Sequence, residues 1–176
     1  WVVAIDEPGD AQHAMVTDAE DPEHNNGRIN TLWGAFLAGA QGVEWYFGYA
    51  HPESDLTCQD WRSRDLLWDQ CRHALDFFRD NKIPFWEMEN ANDLVAGGQD
   101  FCFRKAGEIY VVMLKTGGEA EIDLSEGAGE FDLRWFNPRS GEFAGRPAAV
   151  KAGGKATLGP PPAEVDRDWV ALLKKK

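Results

Sequence analysis

Two short segments hold the residue types that could do chemistry. In Ile5-Asp6-Glu7-Pro8-Gly9, two carboxylates end the β-branched run Trp1-Val-Val-Ala-Ile5, and a Pro-Gly pair turns the chain away. In parallel α/β sheets, reactive groups collect at the carboxyl ends of the strands. Glycoside hydrolysis needs two carboxyl groups across one bond, one as nucleophile or base and the other as proton donor. Glu7 is a candidate for one of them, with Asp6 beside it as a contact to substrate. The second segment is Glu44-Trp-Tyr-Phe-Gly48. Sugar rings stack their C–H faces on Trp and Tyr while carboxylates hold their hydroxyls, so Trp45 or Tyr46 could floor a sugar site. Side chains alternate along a strand, so one of these two is expected to be structural. A plain role for Asp6 and Glu7, capping or ion-pairing a loop, competes with the catalytic one.

The elements that position these segments can be read from periodicity. Trp1-Val-Val-Ala-Ile5 is expected to be a strand buried on both faces. An acidic loop follows, and then Ile29, Leu32, Trp33, Phe36, Leu37 and Ala40 form one apolar helical stripe that stops around Gly39 to Gly42. Val43-Glu-Trp-Tyr-Phe47 is a second strand. Ser63 is placed to cap a long helix whose apolar positions are Leu67, Cys71, Ala74, Leu75 and Phe78. Strand, helix, strand, helix implies a parallel pair with a right-handed crossover. Two such strands cannot make a stable sheet alone, so residues 1–48 are expected to contact further strands, either from preceding sequence or from another chain.

Near residue 96 the character changes. Residues 1–96 hold six basic and eighteen acidic side chains, whereas residues 97–176 hold twelve of each, so the whole net charge of −12 lies in the first part. Beyond residue 97 the hydrophobic period falls from 3.6 to 2. Runs at 101–104, 108–115, 119–124 and 131–136, the turn Asn137-Pro-Arg-Ser-Gly141, and later strands at 155–158 and 169–173 suggest a small antiparallel sandwich with its own core. Lys174 to Lys176 reads as a frayed basic end. The division is 1–96 and 97–176, with protease expected to trim the chain back towards 90–98.

The acidic balance disfavours a nucleic-acid backbone or an anionic membrane surface as partner, and no apolar run approaches the roughly 20 residues that span a bilayer. Cys58, Cys71 and Cys102 are odd in number and lack CxxC spacing, so three free thiols are expected. No GxSxG, P-loop or GxGxxG occurs, and no cofactor is implied. Asp18, Glu20, Asp21, Glu23 and Asn25 offer oxygen ligands without EF-hand order, so a solvated loop is the expected reading. His13 and His24, in the same stretch, are candidate contacts to substrate or to a metal, without the helical or HExxH spacing that would mark a metal site. Asp60, Arg62, Arg64 and Asp65 are expected to fix their loop by carboxylate pairing, and His73 and Cys71 to pack within the helix.

Trp1-Val-Val-Ala-Ile-Asp-Glu-Pro-Gly9, Leu32-Trp-Gly-Ala-Phe-Leu-Ala-Gly-Ala-Gln-Gly-Val-Glu-Trp-Tyr-Phe-Gly48 and Asp60-Trp-Arg-Ser-Arg-Asp65 resemble the end of a clan A (β/α)₈ glycoside hydrolase barrel. Asn92-Asp-Leu94, Tyr110-Val-Val112 and Trp135-Phe-Asn-Pro-Arg-Ser-Gly141 resemble the small β-domain that follows such barrels and is labelled "putative collagen-binding domain". The resemblance implies the last βαβα of a barrel joined to a β-sandwich, with Glu7 as the nucleophile of a retaining glycosidase and Trp45 or Tyr46 as the stacking platform. The strand-four acid that would protonate the leaving group is not in the sequence, so this chain alone is expected to be inactive. The implied partners are a carbohydrate and the rest of the barrel, and the implied setting is a secreted or periplasmic bacterial protein. The alternative is a non-catalytic module that binds carbohydrate or protein.

Overall fold

The computed structural model describes every residue except Trp1, His13, His51 and Gln59. Its centre is a six-stranded antiparallel sheet in the order β3-β4-β5-β10-β7-β8, built from Glu89–Asn90, Phe101–Lys105, Ile109–Leu114, Trp169–Lys175, Glu130–Asn137 and Glu142–Lys151 respectively. A two-stranded sheet of β6 (Ala120–Asp123) and β9 (Lys155–Gly159) covers one face, and helices cover the other. The chain is thus mostly sheet with few helices, a β-sandwich with a helical layer added.

Covering both faces explains why β5 reads as an unbroken apolar run. Tyr110, Val112 and Leu114 enter the core beneath β6 and β9 with Phe131, Leu133, Trp135 and Trp169. Ile109, Val111 and Met113 enter a second core with Leu32, Trp33, Phe36, Leu37, Ala74 and Phe77 from the helices. The β-domain therefore does not complete its own core, as periodicity alone suggests; one face of its sheet is closed by residues 29–85. β3 pairs with β4, and the buried Val95 packs in the core beneath β6 and β9, although both lie ahead of the composition shift.

The first helix, α1, is π-helical over Gly27–Trp33 and α-helical over Gly34–Leu37, with the Gly34 N–H donating to Ile29 O. The second, α2, spans Asp65–Asp80. Its buried face is Leu67, Gln70, Ala74 and Phe77, while Leu75, expected in the stripe, is 57% exposed. The stripe is rotated by one edge because Phe77 meets Phe136 of β7 at 4.8 Å between ring centroids. Ser63 does not cap this helix. Asp60 accepts from Arg62 N at the head of the 3₁₀ turn Trp61–Arg64, and Asp18 Oδ2 accepts from Leu66 N at 2.9 Å.

Two other expectations change. The ten-residue β8 is hidden in the sequence by Gly145 and Pro147, and it is an edge strand, where proline is tolerated. Lys174 to Lys176 is not frayed: β10 runs to Lys175 in the middle of the sheet, Lys174 Nζ donates to Asn81 O, and Lys176 N donates to Glu130 O.

One fully buried ion pair joins the layers. Arg28 in α1 donates through Nε to Asp168 Oδ2 at 2.8 Å and through Nη2 to Asp168 Oδ1 at 2.9 Å, across 140 residues of chain. Arg139, from the β7–β8 turn, adds a 2.8 Å bond to Asp168 Oδ1. Burial pushes the Asp168 carboxyl up, but the bonds and charges of Arg28 and Arg139 outweigh it and hold the group below the ordinary carboxylate range. Breaking a buried pair strands a charge, so Arg28→Ala should lower stability by about 3 to 5 kcal/mol in urea unfolding. A depressed folded pKa contributes stability above the unfolded value of about 3.9 and loses it as pH falls towards the folded one. Asp168→Asn should therefore be less stable at pH 7 and show a flatter acid limb below about pH 4. Limited proteolysis should leave a resistant core in which α2 remains joined to the sheet. A stable product starting at 90–98 would contradict the shared core.

Candidate functional site

β1 (Ile5–Asp6) and β2 (Val43–Glu44) form a parallel pair, with Ile5 beside Val43 and Asp6 beside Glu44. Ile5 N donates to Gly42 O and Gln41 N to Val3 O. The carboxyl ends of the two strands therefore bring Asp6, Glu7 and Glu44 together at one rim, all exposed. The neighbouring charge of Asp6, a hydrogen bond with it and a smaller contribution from Glu7 push the Glu44 carboxyl up from its usual value. The Asp6–Glu44 pairing is invisible in sequence because it depends on register.

The backbone leaves this rim under strain. Glu7 has φ +48°, a left-handed conformation that costs an L-residue about 1 to 2 kcal/mol. Gly9 follows with φ +113°, and a Cβ there would lie 2.7 Å from Ala14 Cα, so glycine is required. The chain then folds back on β2. Met15 N donates to Tyr46 O, Tyr46 Oη to Ala11 O, and Ala50 N to Gln12 O, at 2.9, 2.9 and 3.1 Å.

β2 ends at Glu44, short of the expected Phe47, and the two aromatic candidates just beyond it part company. Trp45 turns inward, where it packs, partly buried, against the helical core. Tyr46 stays at the rim. Burial, then the charges of Asp55, Tyr49, Glu7 and Asp10, push its hydroxyl up. Asp55 accepts from Phe47 N at 3.1 Å. Neither Asp55 nor Tyr49 stands out in the sequence, since both lie in a loop without periodicity.

Arg64 secures the loops differently from expectation. Fully buried, it donates to the Met15 and Glu53 carbonyls, each at 2.7 Å, and stacks 4.0 Å from the Phe47 ring centre, so it bonds backbone rather than carboxylates. The acidic loop is also consumed by its own structure. His24 is buried with Nε2 2.7 Å from Asp18 Oδ1, Asp21 Oδ1 accepts from His24 N, and Glu23 pairs with Arg167. Among the described residues no group of three or more His, Cys, Asp or Glu is arranged to hold a metal ion. His13 lies outside the described residues. Cys58, Cys71 and Cys102 are free, and burial pushes the Cys102 thiol up to about 12.

A family model described as "Putative collagen-binding domain of a collagenase" matches residues 92–174. No curated protein matches the chain. Among the solved structures that share its fold are two glycoside hydrolases. One, titled "Glycoside hydrolase", has a TM-score of 0.64 and 15% identity over 82% of this chain and 35% of that one. The other, a glycoside hydrolase family 5 protein from Bacteroides vulgatus ATCC 8482, has a TM-score of 0.68 and 14% identity over 93% of this chain and 40% of that one. The chain thus spans two fifths or less of these structures' length. Its fold is that of a part of each, and its residues 92–174 are similar to the collagen-binding-like family.

Proposed function

We propose that the chain is the C-terminal part of a glycoside-hydrolase-like protein, with residues 1–96 supplying the last βαβα of a (β/α)₈ barrel and residues 97–176 an accessory β-sandwich. The observation that carries this reading is the parallel register of β1 and β2, which sets Asp6 beside Glu44 at one strand-end rim, with Glu7 the next residue along. Val2 and Val3 support it: they are 78% and 57% exposed beside a sheet of only two strands, a surface that neighbouring strands would cover. The likeness to parts of two glycoside hydrolase structures agrees with it.

In this reading Glu7 attacks the anomeric carbon and forms a glycosyl-enzyme intermediate, while a carboxylic acid from another part of the protein protonates the leaving oxygen. That acid then activates the water that releases the sugar with retained configuration. Asp6 and Glu44 accept hydroxyls of the substrate, and Tyr46 frames the site. No cofactor enters. Losing general acid catalysis forfeits a factor of about 10² to 10⁴, so residues 1–176 alone should be nearly inactive. A glycan substrate suits a secreted or periplasmic protein. Assayed at its full natural length on a panel of glycosides, the protein should lose nearly all activity on Glu7→Gln; full activity in that variant would remove Glu7 from the mechanism.

The match over residues 92–174 favours a second reading, a non-catalytic module that binds protein or carbohydrate. Retention of the 1–176 chain on immobilised collagen or on insoluble polysaccharide, unchanged by Glu7→Gln, would support it. Retention on neither would exclude it.

A further inference from the structure

Burying a guanidinium to hold a loop is costly, because the charge leaves water without being neutralised. Arg64 is fully buried, and its hydrogen bonds among the described residues go to the Met15 carbonyl at 2.7 Å, the Glu53 carbonyl at 2.7 Å and the Ser63 hydroxyl at 3.0 Å, none of them to a carboxylate. An apolar side chain would fill the same space at lower cost. What sets Arg64 apart is which segments its bonds join. Met15 belongs to the segment after β1, whereas Glu53, and the Phe47 ring stacked 4.0 Å from the guanidinium, belong to the segment after β2. One planar fork ties together the two segments that leave the rim.

The tie reaches Glu7 through short contacts. Met15 N donates to Tyr46 O at 2.9 Å, so the residue that Arg64 holds is itself bonded to the end of β2. Ala14, next to it, donates to Asp10 O at 3.2 Å, and its Cα lies so near Gly9 that a Cβ there would be 2.7 Å away. Two residues before Gly9, Glu7 holds its left-handed φ of +48°, a conformation that persists only where the surroundings impose it. Resting on the glycosidase reading, we propose that Arg64 is a positioning residue for the reaction: by holding Met15 against the segment after β2, it keeps the strained turn in the conformation that aims Glu7 at the anomeric carbon. Being fully buried, it touches no substrate.

The test is steady-state kinetics of the protein at its full natural length, on a glycoside that the wild type cleaves, with melting curves to show that each variant is folded. Arg64→Lys keeps the charge but not the fork that reaches two carbonyls at once. Its kcat should fall about 10²-fold, the cost of misplacing a reacting group by roughly 1 Å, while KM stays within about threefold because the contacts to substrate are untouched. Arg64→Gly should lose at least as much, and ethylguanidinium supplied in solution should restore part of the lost kcat. A purely structural role gives neither the split between kcat and KM nor the rescue. Full kcat in Arg64→Lys, or a folded Arg64→Gly that gains nothing from ethylguanidinium, overturns the proposal and leaves the glycosidase reading standing. If only Arg64→Lys folds, its kcat decides; if neither folds, Arg64 serves the fold and the proposal fails. If the wild-type protein cleaves no glycoside, both fall.

Discussion

The bidentate pair between Arg28 and Asp168 fixes how the layers of this protein sit on one another. Both side chains are almost completely removed from water, so each would be costly to bury alone. What makes the pair tolerable is that nearly every donor and acceptor is used: Arg28 also reaches Glu23 O and Asn25 Oδ1, and Asp168 also receives Arg139. The planar guanidinium fork meets the carboxylate in one geometry only. The first helix, the acidic loop, the β7–β8 turn and the start of β10 are thereby held in one arrangement.

That arrangement lets a six-stranded sheet be buried on both faces. β5 and β10 have no solvated side, so their residues divide between two cores, odd positions of β5 facing the helices and even positions facing β6 and β9. The helical core is rich in aromatic edges: Trp33, Phe77 and Phe136 meet pairwise at centroid separations of 4.8 to 6.1 Å. Such contacts add to the burial energy and favour one packing over slipped alternatives. They also mean that the helices belong as much to the β-domain as to the two parallel strands they connect.

The candidate site adjoins the same helical layer through Trp45. Its carboxylates are placed by the parallel pairing of two very short strands, and its loops by hydrogen bonds to backbone carbonyls from Tyr46 and Arg64. A short strand pair offers few ladder bonds of its own, so the loops do much of the positioning. The strained turn at Glu7 is kept by that surrounding network.

Sequence by itself determined what depends on local spacing. The runs that became β4, β5, β6, β7, β9 and β10, the apolar stripe of α1, the turn at 137–141 and the carboxylates at the end of β1 are all legible, because alternation and helical period record which side of an element is buried. Tertiary structure alone decided what depends on partners far along the chain. Arg28 gives no sign in the sequence that it will be buried, since its carboxylate is 140 residues away. Leu75 and Phe77 exchange roles because a sheet surface, not the helix, chooses which edge of the stripe is covered. Alternation predicts that one of Trp45 and Tyr46 is structural, and only the fold decides that Trp45 is the one packed inward. Asp6 and Glu44 meet through strand register, a relation between two segments that neither segment contains.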